Sequence, residues 1–292
     1  MKNTLSRRGF VGTTLATTGL ILAAHDPLAA TGAEAAEDER ADLPLVDYHV
    51  HRDGTTLERL LEISVRRGVK FGIVEHAGTR ENKYPIILSN DRELKDYIAS
   101  LEGKPVYKGI QAEWLDWTTC FSKEVVAQLD YVLTDAMTFR DKDGRKVRLW
   151  DSGFKIDDAQ DFMDRYADFH VEVMATEPID ILANVTYLPG PIAPQYDALW
   201  APARMRKIID AAVKHGVALE INSGYRLPRL AFLRMAKEAG AKFSFGSNLR
   251  GPEVGRKDYW LEMIKALGLT RKDLFTPAPP GQKPIQRRKA TS

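Results

Sequence analysis

The chain has 292 residues, 44% hydrophobic and 28% charged, which supports one substantial core and excludes the disordered, collagen-like and coiled-coil classes. Its single cysteine, Cys120, excludes an intramolecular disulfide framework and any zinc site of several thiolates, so a bound metal must rest on His, Asp and Glu. The net charge of +2 comes from the termini, and residues 43–270 sum to −1, which excludes a globally basic nucleic-acid-binding domain.

Residues 1–30 open with Arg7-Arg8, continue through a short, moderately apolar stretch over 13–24 and end in Pro27-Leu28-Ala29-Ala30. A paired-arginine start, a short apolar segment and small residues near a cleavage point predict a twin-arginine export signal, removed in the mature protein. The apolar run is too short and too rich in Thr and Gly for a membrane anchor, which needs about 20 apolar residues. The expected partner is the twin-arginine export machinery, with no stable membrane anchor, and the expected location is the periplasm or the secreted fraction. Residues 31–43 follow as an acidic linker, and 276–292 close the chain as a basic, Pro-rich tail; both are predicted to be solvated.

Residues 44–275 alternate short apolar runs with amphipathic segments. The runs cover 45–50, 71–75, 106–113, 131–134, 179–184, 217–222 and 242–246. The segment 56–67 carries Leu57, Leu60, Leu61, Ile63 and Val65 at helical spacing, and 203–215 carries Met205, Ile208, Ile209, Ala212 and Val213. Gly68, Gly216 and Gly240 stand at helix-to-strand joints, where left-handed C-caps are expected. Seven β-then-α repeats predict an α/β parallel barrel. An open doubly wound sheet is the alternative, disfavoured because no glycine-rich phosphate loop follows the first strand. Residues 135–157 break the rhythm with a turn at Lys142-Asp143-Gly144 and predict a long loop or hairpin at the mouth of the site.

Polar residues collect at the predicted strand ends. The first strand ends in Asp47-Tyr48-His49-Val50-His51, followed by Arg52-Asp53-Gly54, and residues two apart on a strand face the same side, so His49 and His51 point together. The second strand ends in Glu75-His76, the third in Gln111-Ala112-Glu113, the fifth in Asn184, the sixth in Glu220-Ile221-Asn222 and the seventh in Ser247-Asn248-Leu249-Arg250. An isolated histidine is most often a satisfied packing residue. Two at one strand end beside a third at the next shift the reading to metal binding.

These motifs resemble the PHP superfamily, the polymerase and histidinol phosphatase domain, over 45–256, with histidinol-phosphate phosphatase as the nearest branch. Asp47-Tyr48-His49-Val50-His51 and Asp53-Gly54-Thr55 are similar to its first motif. Ile73-Val74-Glu75-His76, Gly109-Ile110-Gln111-Ala112-Glu113, the stretch from Leu219 to Arg226, and Phe245-Gly246-Ser247-Asn248 with Pro252-Glu253-Val254-Gly255 are similar to later ones. The resemblance implies a distorted (βα)7, TIM-like barrel with two or three metal ions. The departures are as informative: the family pattern has Glu where this chain has Gln111, His at or near Met137, His at Asn184, and an Asp-x-His pair at Asn248 and Arg250. About half of the usual ligands are absent, so a reduced site of one or two divalent ions, zinc, manganese or iron, is expected.

The expected ligands are His49, His51, Asp53, His76 and Glu113, the last standing in for the missing carboxylate because it shares a strand face with Gln111. Glu75, His76 and Glu113 are the expected catalytic groups. Arg226, Arg250, Asn184 and Asn248 are expected to bind a small anionic substrate, the arginines through bidentate contacts to phosphate or carboxylate. The resulting expectation is an exported metal-dependent hydrolase of phosphoesterase type. The alternatives are a catalytically degenerate barrel that binds a ligand or a protein, and a lyase or isomerase on the same scaffold.

Overall fold

Strand β1 (Val46–Val50) is buried along its whole length and pairs in parallel with two neighbours, β2 (Lys70–Ala77) and β10 (Phe243–Gly246). That double pairing closes the sheet into a barrel. The computed structural model describes residues 43–151 and 153–287. The ring runs β1, β2, β4 (Tyr107–Ala112), β5 (Tyr131–Asp135), β8 (Ile181–Ala183), β9 (Ala218–Asn222) and β10, all parallel, so every C-terminal strand end opens on one rim. The register between β1 and β2 shifts between Asp47 and Val50, and the short β3 (Ile87–Leu88) pairs with β2 at His76 and Ala77.

Helices α1 (Leu57–Arg67), α2 (Asp91–Ser100), α3 (Ala159–Thr176), α4 (Pro202–His215), α5 (Leu230–Glu238) and α6 (Asp258–Leu267) connect the strands. Their ends follow local chemistry. Thr56, Asn90 and Asp158 accept backbone N–H bonds at the starts of α1, α2 and α3, and Gly68 and Gly216 take the left-handed conformation after α1 and α4. The predicted excursion over 135–157 contains an antiparallel hairpin, β6 (Thr138–Arg140) and β7 (Lys146–Arg148), ahead of α3. Among the described residues no helix is long and apolar enough to cross a membrane.

The barrel interior below the rim is filled by Val46, Tyr48, Val74, Tyr131, Leu133, Ile181, Ala183 and Ala218. Tyr131 reaches across this space to donate to the Tyr48 carbonyl at 2.7 Å. Its ring leaves no room for a side chain at Gly109, where a Cβ would lie 2.4 Å from the phenol carbon. A larger apolar layer, including Leu60, Ile63, Phe71, Ile73, Leu94, Ile98, Phe162, Ile208, Phe232 and Trp260, lies between strands and helices.

The C-terminal segment corrects one expectation. Most of 276–287 is exposed, but the segment is anchored at two points: Ile285 is buried, and the Lys283 ammonium, also buried, donates to the Leu129 carbonyl. Phe275 packs edge-on to Tyr48 at the closed end of the barrel. Isolated apolar residues among prolines and cations carry no periodicity, so this anchoring had no sequence signal. The expected export signal over 1–30, the acidic linker over 31–42 and the residues after Arg287 lie outside the described residues.

Candidate metal centre at the barrel rim

His49 and His51 leave β1 on the same side, and the Nε2 atoms of both rings lie against one acceptor, Gln111 Oε1 on β4, at 3.0 and 2.9 Å. An amide oxygen accepts and cannot donate, so His51 presents its proton at Nε2 and its Nδ1 carries the lone pair. That Nδ1 is buried and has no partner. Burial, with the neighbouring His76 and His49, holds the His51 pKa well below the ordinary imidazole range. The ring is thus neutral with one bare nitrogen, the state a metal requires.

His51, Asp53 and His76 each offer one ligand atom, and these atoms lie within 4.8 Å of one another. Asp53 Oδ1 is likewise buried and unpartnered, while Oδ2 accepts from Arg250 Nε at 2.9 Å. His76 Nδ1 meets Glu113 Oε1 at 2.7 Å, the carboxylate-to-imidazole contact that fixes a tautomer and leaves the second nitrogen for a ligand. Tyr84 stacks on the His76 ring at 3.6 Å with planes 9° apart. Two orphaned buried atoms of ligand type facing a third such residue fit a divalent ion.

His49 and Glu113, also expected as ligands, lie outside the His51–Asp53–His76 cluster and meet other groups. His49 is enclosed: Nδ1 meets Glu220 Oε1 at 2.7 Å while Nε2 meets Gln111. Burial works against the charge on His49, but the Glu220 carboxylate and its hydrogen bond outweigh it and raise the pKa. Glu113 turns to His76 because β4 ends at Ala112 and the chain reverses at Trp114, which takes a positive φ of 67°. Glu113 still lies close to Asp135, the residue Gln111 Nε2 donates to, but its carboxylate is engaged by His76.

Glu75 is also displaced from its expected catalytic place. It belongs to the face of β2 that carries Phe71 and Ile73 into the outer apolar layer, opposite to Val74 and His76. There it accepts from Arg52 Nε at 2.7 Å, and burial raises its pKa against the pull of Arg52. Arg226, expected to bind substrate, pairs with Asp258 at 2.9 Å and with Glu262 on α6 instead. Arg250 stays at the rim, bonded to Asp53 and to Asn248 Oδ1 at 3.1 Å.

The remaining strand ends form a closed polar network. Asn184 Nδ2 donates to Asp135 Oδ2 at 2.8 Å, Asn222 Nδ2 donates to Asn184 Oδ1 and Glu220 Oε2 at 3.0 Å each, and Gln111 Nε2 donates to Asp135 at 3.3 Å. Asp135 is pushed up to about 6 by burial and by the nearby Glu113 charge. Asn184 and Asn248 hold positive φ angles of 51° and 48°, so the chain turns sharply as it leaves β8 and β10. Sequence reasoning assigned no role to Asp135, Tyr84 or Glu220. A glutamate inside the apolar run of β9 was the available signal, since such a residue is rarely buried unless paired.

No protein-family model and no curated protein sequence matches this chain. Among solved structures, histidinol phosphate phosphatase from Lactococcus lactis, complexed with zinc, L-histidinol and phosphate, aligns with a TM-score of 0.57 at 16% identity, covering 85% of this chain and 100% of that one. An HpcH/HpaI aldolase from Desulfitobacterium hafniense aligns with a TM-score of only 0.35 at 12% identity over 86% of this chain and 98% of that one, and bears on neither fold nor site. The first likeness carries the TIM-like barrel and its closed ring of seven parallel strands. At that identity it carries the fold alone.

Proposed function

We propose that this chain is an exported, metal-dependent hydrolase of phosphoesterase type, acting on a small anionic substrate at the periplasmic or secreted side through one divalent ion. The single observation that supports it is the convergence of His51, Asp53 and His76, with His51 Nδ1 and Asp53 Oδ1 buried and unpartnered. His51 Nδ1, Asp53 Oδ1 and the His76 nitrogen not bonded to Glu113 would hold zinc, manganese or iron. Bound there, such an ion supplies Lewis acidity toward a substrate oxygen and lowers the pKa of water.

The chain's own residues supply the rest. Gln111 fixes the His51 tautomer, Glu113 fixes that of His76, and Arg250 holds Asp53 in place. Asp135, with a pKa near 6, can take up or release a proton close to neutrality. The decisive experiment is metal analysis of the mature protein by mass spectrometry beside His51→Ala and His76→Ala, followed by a phosphoester panel. A stoichiometric ion lost in both variants, with turnover that needs it, supports the reading. No ion, and none taken up on reconstitution, overturns it.

One observation favours a second reading, a degenerate barrel that binds without catalysis: both His49 nitrogens and the Asn184–Asn222 amides are satisfied within the protein. A metal-loaded protein that turns over no ester would support it.

A further inference from the structure

The hairpin β6–β7 carries five cations whose partners differ in kind, and Lys142 in its turn pairs with Asp157 at 3.6 Å. Arg140 pairs with Glu172 at 3.1 Å, and Arg145 pairs with Asp141 and Asp143 at 2.9 and 2.8 Å. Lys146 and Arg148 form no ion pair among the described residues. They stand two apart on β7, hence on one face, and both donate to neutral oxygens of the same residue, Lys146 to Asn82 Oδ1 and Arg148 to the Asn82 carbonyl. The carboxylates of Asp116, Glu113 and Glu81 act on Lys146 from nearby, but neither cation is ion-paired with one, so the hydrogen bonds of both go to neutral oxygens.

Their position relates them to the candidate metal centre. The Arg148 guanidinium lies 5.4 Å from the Tyr84 ring, and Tyr84 is the residue stacked on His76. The Lys146 ammonium lies 5.2 Å from the Trp114 ring, one residue after the Glu113 that holds His76. The two aromatic faces keep the cations extended. Both cations also line an open, largely charged cavity of about 920 Å³, whose walls carry carboxylates such as Glu81 and Asp161 as well as Phe139, Phe154 and Phe162, so a ligand can reach them and set an apolar part against the phenylalanines.

We propose that Lys146 and Arg148 form the oxyanion-binding subsite of the site at His51, Asp53 and His76, taking the phosphate or carboxylate of an organic substrate whose apolar part enters the adjoining cavity. The assignment moves anion recognition from Arg226 to the hairpin and rests on the hydrolase reading only for the identity of the neighbouring centre. A planar guanidinium offers two parallel N–H groups to an oxyanion and the ammonium adds a point charge, so losing either is expected to weaken binding about tenfold or more.

The test is titration of inorganic phosphate, and separately of benzoate, into the full-length mature protein by calorimetry, with and without bound zinc. Wild type is compared with Lys146→Gln, Arg148→Gln, Arg148→Lys and Arg145→Gln. The proposal expects at least one of the two anions to bind. It expects that affinity to fall about tenfold in each Gln variant, to be partly kept in Arg148→Lys, and to be unchanged in Arg145→Gln at equal melting temperature. Equal affinities across all variants, a loss matched by Arg145→Gln, or no binding of either anion would overturn it. A protein that takes up neither zinc, manganese nor iron yet shows the Lys146 and Arg148 dependence would sink the hydrolase reading and leave the subsite standing, so the two failures are distinct. Phosphate and benzoate differ in charge and shape, and which binds tighter identifies the source of the oxyanion.

Discussion

Glu220 accepts a hydrogen bond from His49 at 2.7 Å inside the barrel, and the space for it is left by Gly246: a Cβ there would sit 1.9 Å from Glu220 Oε1. The glycine is therefore a steric requirement of the ion pair, not of a turn. Gly246→Ala is expected to push Glu220 off His49 and to destabilise the protein by about 3 kcal/mol, the range for breaking a buried pair. Urea unfolding of the variant measures this, and an unchanged midpoint would refute the steric account.

Glu113 Oε1 meets His76 Nδ1 at 2.7 Å, the contact that sets the tautomer of that ring. Glu113→Gln keeps the size of the side chain but exchanges an acceptor-only group for an amide, so the His76 tautomer is no longer imposed. Metal affinity is expected to fall about 10- to 100-fold with little change in fold. Competition against a chromophoric chelator reads the constant directly.

Gln111 holds an amide oxygen within hydrogen-bond distance of two histidine nitrogens. Replacing it by glutamate puts a full negative charge at that point, and a carboxylate can neutralise a cation where an amide cannot. Gln111→Glu is expected to raise the metal content from one ion to two per chain, with His49 released from the amide to ligate the second. Native mass spectrometry counts the ions, and a content unchanged from wild type would count against this account.

His170 is buried in α3, donates from Nδ1 to the Tyr166 carbonyl at 2.7 Å, and has a pKa lowered to about 4 by burial. Its unfolded value is near 6.5, so between about 6.5 and 4 the unfolded chain binds the extra proton and stability falls as the pH falls. Asp180, raised to about 6 by burial, acts with the opposite sign, which partly masks the effect in the wild type. The difference between wild type and His170→Gln isolates it: the variant should gain on the order of 3 kcal/mol relative to wild type over that window. Denaturant midpoints at pH 7 and pH 4.5 test it, and parallel acid limbs would contradict it.

The C-terminal anchor makes a further testable claim. Ile285 is buried at the closed end of the barrel, and its truncation to alanine should cost about 2 kcal/mol or more. A chain ending at Phe275 should melt lower still, because the Leu129 carbonyl loses the Lys283 ammonium. Thermal melts of both variants decide it.

The sequence by itself determined the barrel and the rim. Short apolar runs whose side chains alternate in facing, period-3.6 helices and glycine at the joints are local patterns, and their sevenfold repetition leaves few topologies open. The shared direction of His49 and His51 was legible for the same reason. What only the tertiary structure decided is which atoms meet across the ring. Glu220 reaches His49 over 171 residues, Gln111 closes both imidazoles over about 60, and Arg250 reaches Asp53 over 197. Contacts of that separation depend on strand order and on where each strand ends, as the fates of Glu113 after β4 and Glu75 on the outer face of β2 show. They leave no local trace, because hydrogen-bond partners are chosen by distance in space, and the chain's periodicities encode only its own immediate neighbours.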